Sequence, residues 1–126
     1  MEKYHGIIIN LSQKDKSIFK TMNIIGRQKA FLGMVALYKV EIDEQDLELK
    51  IRILQENMAD RVLFFHRNFY LHFYRGNELI VVFKNRVFHA TPDKSSWLNI
   101  IAYGQKLGIK DKQLDFSPHT IAEEKF

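Results

Sequence analysis

The sequence predicts an α+β fold: one domain over residues 1–126, with elements in the order β-α-β-α-β-β-β-α. A four- or five-stranded antiparallel or mixed sheet is expected, with helices mainly on one face. Three observations predict this. Residues 69–91 alternate side-chain character through three short runs joined by two tight turns. Residues 6–11 and 34–42 are two further strand-like runs rich in β-branched residues. Residues 43–59 and 91–107 open on helix-start signals and carry apolar stripes. The crossover from strand 34–42 through its helix to strand 69–75 suggests a ferredoxin-like core.

Gly6 to Leu11 reads as a strand, with an edge position open to it. Ser12 follows as a helix N-cap, with Asp15 approximating a capping box and Ile18, Phe19 and Met22 forming the apolar side. Residues 23–30, with Gly26, Arg27, Gln28 and Lys29, read as a mobile loop, the best place in the chain for a disordered or ligand-responsive segment. From Met34 to Ile42 the chain alternates again: Met34, Ala36, Tyr38, Val40 and Ile42 on one side, Val35, Leu37, Lys39 and Glu41 on the other.

Residues 43–59 fit either period. Leu47, Leu49, Ile51 and Ile53 alternate like a strand, whereas Leu47, Ile51, Leu54 and Met58 make a helical stripe. The start decides for a helix. Asp43 suits the N-cap, Glu44 and Asp46 suit the positive end of the dipole, and Ile42 can staple to Leu47. Leu49 and Ile53 then fall on the outer side. Residues 60–68 are a link. After the ribbon, Thr91 reads as N-cap with Pro92 at the first helical position and Asp93 in the first turn. Trp97, Ile100, Ile101, Gly104 and Leu107 form the buried stripe, Gly104 allows close approach to the sheet, and Gly108 suits a left-handed C′ position. Leu114 and Phe116 lie across the body, and residues 119–126 form a frayed tail.

Within the ribbon, Gly76-Asn77 suits a type II′ turn that opposes Arg75 to Glu78, Phe73 to Ile80 and Leu71 to Val82. A second turn lies near Lys84, Asn85 and Arg86. One face then carries Phe69, Leu71, Phe73, Ile80, Val82, Val87 and His89. The other carries Tyr70, His72, Tyr74, Leu79, Val81, Phe83, Phe88 and Ala90, with Arg86 at the rim. Neither is a polar, solvated face. The second face, aromatic bodies with polar tips, must be covered by something beyond the helices: a second subunit, a ligand or a terminus.

Composition narrows the classes further. The absence of Cys excludes disulfides and thiolate metal sites and fits a cytoplasmic protein. The start of the chain lacks the apolar run of a signal peptide, and no stretch has the length to span a bilayer. Charge is uneven: residues 1–40 hold seven Lys/Arg against two Asp/Glu, and residues 41–60 hold two against seven. A solvated surface accounts for this better than a nucleic-acid footprint. No glycine-rich phosphate loop, HExxH pair or nucleophile elbow is present, and His5, His66, His72, His89 and His119 are scattered. No catalytic residue, metal site or cofactor is therefore expected.

Several strings resemble a family of small, uncharacterised conserved proteins of bacteria and archaea. They are Val40-Glu41-Ile42, the Glu78 to Thr91 hairpin, Tyr103-Gly104 with Leu107-Gly108-Ile109, and Gln113 to Pro118. The resemblance runs from about residue 30 onward and implies an α+β fold without implying an activity. From the residues themselves, the expectation is a non-enzymatic module that homodimerises through the Tyr70, His72 and Tyr74 face. The alternative is a binder of a small anionic ligand or of nucleic acid, using Tyr70, His72, Tyr74 and Arg86 together with the Arg27–Lys29 segment.

Overall fold

The structure, a computed structural model, describes residues 2–30, 33, 35–59, 61–62, 65–66 and 68–126. Eight strands and two α-helices appear among them: β1 (Tyr4–Ile9), β2 (Asn23–Ala30), β3 (Val35–Ile42), α1 (Glu44–Glu56), β4 (Arg61–Val62), β5 (Phe65–His66), β6 (Tyr70–Arg75), β7 (Glu78–Phe83), β8 (Arg86–Ala90) and α2 (Leu98–Lys106). Six strands form one antiparallel sheet in the order β2-β3-β1-β6-β7-β8, and β4 and β5 pair separately. The sheet has one strand more than expected, β2, whose sequence has the composition of a loop. Its polar residues are those of an edge strand, and a register shift between Ile24 and Gly26 breaks its alternation. The expected Met34 start of β3 lies outside the described residues.

The meander keeps its expected register. Leu71 opposes Val82, Phe73 opposes Ile80 and Arg75 opposes Glu78, and the Lys84-Asn85 loop sets Phe83 against Arg86. Gly76 has φ +52°, while Asn77 has no positive φ, as a type II′ turn requires. Since β3 and β6 both run antiparallel to β1, they are parallel to each other, with α1 crossing between them and β1 in the gap. That is the first half of a ferredoxin-like arrangement. The β6–β7–β8 meander leaves the second half unbuilt.

A central position for β1, rather than an edge, depends on Gly6. Gly6 pairs with Phe73, and a Cβ there would stand 2.3 Å from the Phe73 ring. The aromatic ring takes the space a side chain would fill, and Phe73 is fully buried.

Each face of the sheet has its own core. Tyr4, Ile8, Val40, Ile42, Leu71, Phe73, Ile80 and Val82 pack with Leu47, Ile51 and Leu54 of α1 and with Met58 just beyond it. The opposite face packs Ile7, Tyr74, Leu79, Val81 and Phe83 against Trp97 and Ile100, with Ile109, Leu114 and Phe116. The helices therefore divide between the faces instead of sharing the first. A ribbon that is apolar on both sides loses stabilisation wherever either side meets water, at about 25 cal/mol per Å² of apolar area.

The local signals at helix starts shifted by a few residues. Ser12 is buried and its hydroxyl donates to Ile9 O at 2.7 Å, so it is not a cap. Asp15 caps instead, accepting from Ser17 N, and the expected helix is a pair of 3-10 turns, Asn10–Ser12 and Lys16–Thr21. Likewise Asp93, not Thr91, caps a 3-10 turn over Lys94–Trp97 that leads into α2. Thr91 serves Trp97, whose indole N–H donates to Thr91 O at 2.8 Å. At the end of α2, Gly108 (φ +84°) donates to Gln105 O and Ile109 donates to Gly104 O, a Schellman closure. Gly104 makes room for Leu114 rather than for the sheet: an added Cβ would lie 2.7 Å from its side chain.

Gly6→Ala should lower unfolding free energy by roughly 1–3 kcal/mol or more, because the fully buried ring of Phe73 has no free direction in which to move. Urea unfolding followed by circular dichroism measures this, and a loss under about 0.5 kcal/mol, the scale of an ordinary surface substitution, would show that the ring does not lie over Gly6.

Candidate functional site

Residues 109–126 form an arm that crosses the second face from β7 toward β2. Phe116 anchors it. This residue is fully buried, has φ +52°, and packs edge-on at 5.1 Å against both Trp97 and Tyr70. A bulky residue in the left-handed region costs on the order of 1 kcal/mol, which the burial of its ring offsets. Residues 119–126, the expected frayed tail, lie on the sheet.

The arm takes up the polar tips of the expected site one by one. Tyr70 Oη donates to Gln113 O. His72 Nε2 lies 2.8 Å from Pro118 O, and because a carbonyl only accepts, Nε2 carries the proton. Tyr74 Oη donates to Glu124 Oε2 at 2.6 Å. The same carboxylate meets His5 Nδ1 at 2.6 Å and, through Oε1, Lys39 Nζ at 3.2 Å. His5 Nε2 faces Glu41 Oε2 at 3.3 Å. Beyond Glu124, the Phe126 ring lies 5.2 Å from Lys39 Nζ and would stand 3.2 Å from a Cβ at Gly26.

Thus Tyr70, His72 and Tyr74 do share a face and a row on β6. Arg86 does not join them. It stacks on Phe88 at 4.5 Å and on Tyr103 at 5.7 Å, two strands away, at about 10 Å by sheet spacing. The Arg27–Lys29 segment is also apart: Arg27 lies over Tyr38 on the first face, at 5.2 Å. The face on which a second copy was expected to dock is beneath α2 and the arm.

Three residues of this site were not singled out from sequence: His5, Lys39 and Glu124. His5 and Glu124 are separated by 119 positions. A signal existed for Lys39, a cation placed between Leu37 and Glu41 on the strand side opposite the apolar one. Nothing in the sequence marked Glu124 above its neighbour Glu123.

The electrostatics follow from burial. Desolvation first, then the hydrogen bond to Glu124, pushes the Tyr74 phenol far above its ordinary value, so it stays a donor. Burial raises the Glu124 carboxyl, but bonds from Tyr74, His5 and Lys39 outweigh it and hold the group below the usual range. That stabilisation is present above the ordinary carboxyl value and is lost as pH falls through the depressed one. For His72, burial dominates and its imidazole is pushed down to about 4 despite the bond to Pro118.

All of these polar groups are engaged, and together they seat the Glu124 carboxylate. Among the described residues no group of three or more His, Cys, Asp or Glu side chains could hold a metal ion. A shallow depression of about 240 Å³ bordered by Lys3, Asn23, Glu41, Asp43, Asp46 and Lys50 is polar, and its Lys3 pairs with Asp43 at 3.4 Å. No described helix is long and apolar enough to cross a membrane.

A buried neutral His72 gives a pH dependence with a definite sign. The unfolded chain takes up a proton below about 6.5 and the folded one only below about 4, so stability falls across that window as pH is lowered. The stability advantage of wild type over His72→Gln should shrink by about 3 kcal/mol between pH 7 and pH 4. Urea titrations at stepped pH measure it, and a difference independent of pH would place His72 in water.

None of the protein-family models, curated proteins or solved structures compared with this chain matches it, so the arrangement on β1, β3 and β6 is read from its own chemistry.

Proposed function

We propose that the protein is a non-enzymatic, homo-oligomeric interaction module that self-associates through the open edge of β2. The observation that supports this reading is the state of that edge. β2 is eight residues long, bonds to β3 on one side only in the sheet order, and exposes Asn23, Ile24, Ile25, Arg27, Gln28 and Lys29. The other edge, β8, has five residues, with Arg86 folded over Phe88 and Tyr103. A long open edge offers main-chain donors and acceptors to another strand.

A two-fold antiparallel pairing centred on Gly26 uses the strand well. Across the register shift at Ile25, it lays the Arg27–Lys29 half of one strand along the Asn23–Ile25 half of the other, so cations do not oppose cations. Ile24 and Ile25, 38% and 41% exposed, would lose water in the process. The Tyr70, His72 and Tyr74 face, first expected to be the contact, is replaced by an edge the sequence had presented as a loop.

Light scattering on the eluting peak should give a dimer mass for wild type at tens of micromolar, a concentration typical for edge pairing of modest area. Ile25→Lys should yield the monomer by laying Lys along the Arg27–Lys29 half of the other strand, and adding Arg27→Glu should restore the dimer. A wild-type monomer throughout, or a dimer indifferent to Ile25→Lys, contradicts the reading.

A further inference from the structure

The C-terminal arm lies in its groove the way a ligand lies on a receptor, and the residues beneath it are more buried than the arm itself. Tyr74, His72, Lys39 and Ile7 are 0%, 4%, 7% and 8% exposed. Above them Pro118, Glu124 and Phe126 are only partly buried, and Ser117, Ala122, Glu123 and Lys125 are exposed. No part of the arm joins the sheet as a strand. Beyond Phe116 it is held by Pro118 O on His72, the His119 ring edge-on to Trp97 at 5.1 Å, Ile121 against the second-face core, the Glu124 carboxylate on Tyr74, His5 and Lys39, and the Phe126 ring over Lys39 and Gly26.

Those points define a recognition pattern. Three neighbouring strands, β6, β1 and β3, each send one donor to a single carboxylate, serving both of its oxygens. A buried ammonium and phenol and a half-buried imidazole aimed at one spot are costly without an acceptor there, so the seat selects an anion. Gly26 lies directly across from Lys39 in the β2–β3 register and leaves a flat floor beside the seat. Residues two apart in an extended chain are about 7 Å apart and point the same way, which matches a carboxylate on the seat and a ring on the floor.

We propose that this groove is a docking site for an acidic peptide segment bearing an aromatic residue two positions after a glutamate, with the chain's own Glu124-Lys125-Phe126 as its resident occupant. An incoming segment of another protein makes the same contacts after the arm lifts at the residues following Phe116. The tethered arm competes at an effective concentration in the millimolar range, so the groove is masked until the arm is weakened or the competitor is abundant. This site does not depend on pairing through β2.

The test uses a fluorescein-labelled decapeptide, Ser-Pro-His-Thr-Ile-Ala-Glu-Glu-Lys-Phe, and full-length protein carrying Ile25→Lys, so that β2 pairing does not enter. Fluorescence anisotropy should show binding to Glu124→Gln roughly tenfold or more tighter than to the protein with Glu124 intact, because the resident carboxylate no longer competes. Adding Lys39→Met should remove that gain, and a decapeptide with Gln in place of the second Glu should bind roughly tenfold more weakly. Phe126→Ala, which clears only the ring floor, gives the same comparison should Glu124→Gln lose its cooperative melt. Equal affinity with and without the arm substitutions, no binding to any of them, or indifference to the peptide's carboxylate overturns the proposal. A failure here leaves the β2 dimer standing, and loss of the dimer leaves this groove standing.

Discussion

Neither face of the β6–β7–β8 ribbon tolerates water, and the rest of the molecule is arranged around that constraint. Leu71, Phe73, Ile80 and Val82 on one side, and Tyr74, Leu79, Val81 and Phe83 on the other, are all nearly or completely buried. α1 covers the first side and α2 covers the β7–β8 half of the second. One short helix of nine residues, about 14 Å long, cannot reach across six strands. The arm covers the remainder, and because that part of the face carries polar tips, the arm brings acceptors: two backbone carbonyls and one carboxylate.

This division explains why a face that looks like an interface from its composition is an interface within the chain. Aromatic bodies with polar tips suit any partner that is apolar in the middle and accepts hydrogen bonds at its edges. The arm meets that description with Phe116, Pro118 and Glu124. It leaves exposed, among the described residues, the β2 edge of the six-stranded sheet, longer than the β8 edge and carrying isoleucines and cations.

The parts of the fold that were legible in the sequence are those governed by short-range rules. Alternation placed every residue of the ribbon on its observed face, and the Gly76 turn and Gly108 closure followed from positive φ. Asp43, Glu44 and Asp46 correctly resolved residues 44–56 as helix, although the Asp43 side chain makes no capping bond. What was not legible depends on long-range competition. β2 was hidden because an exposed edge strand with a register shift has the composition of a loop. Ser12 looked like a cap because its burial beside Ile9 cannot be inferred from neighbours. In the site, Tyr74 and His72 were visible through alternation, whereas Glu124 became significant only once the arm laid it against β1, β3 and β6.

The account rests on the arm lying across the second face in solution. Nuclear Overhauser spectra of the dilute, intact protein test this most directly. The structure predicts cross-peaks between the Phe126 ring and the Gly26 α-protons, and between the His72 ring and Pro118. Random-coil shifts for residues 117–126 without those cross-peaks would contradict it.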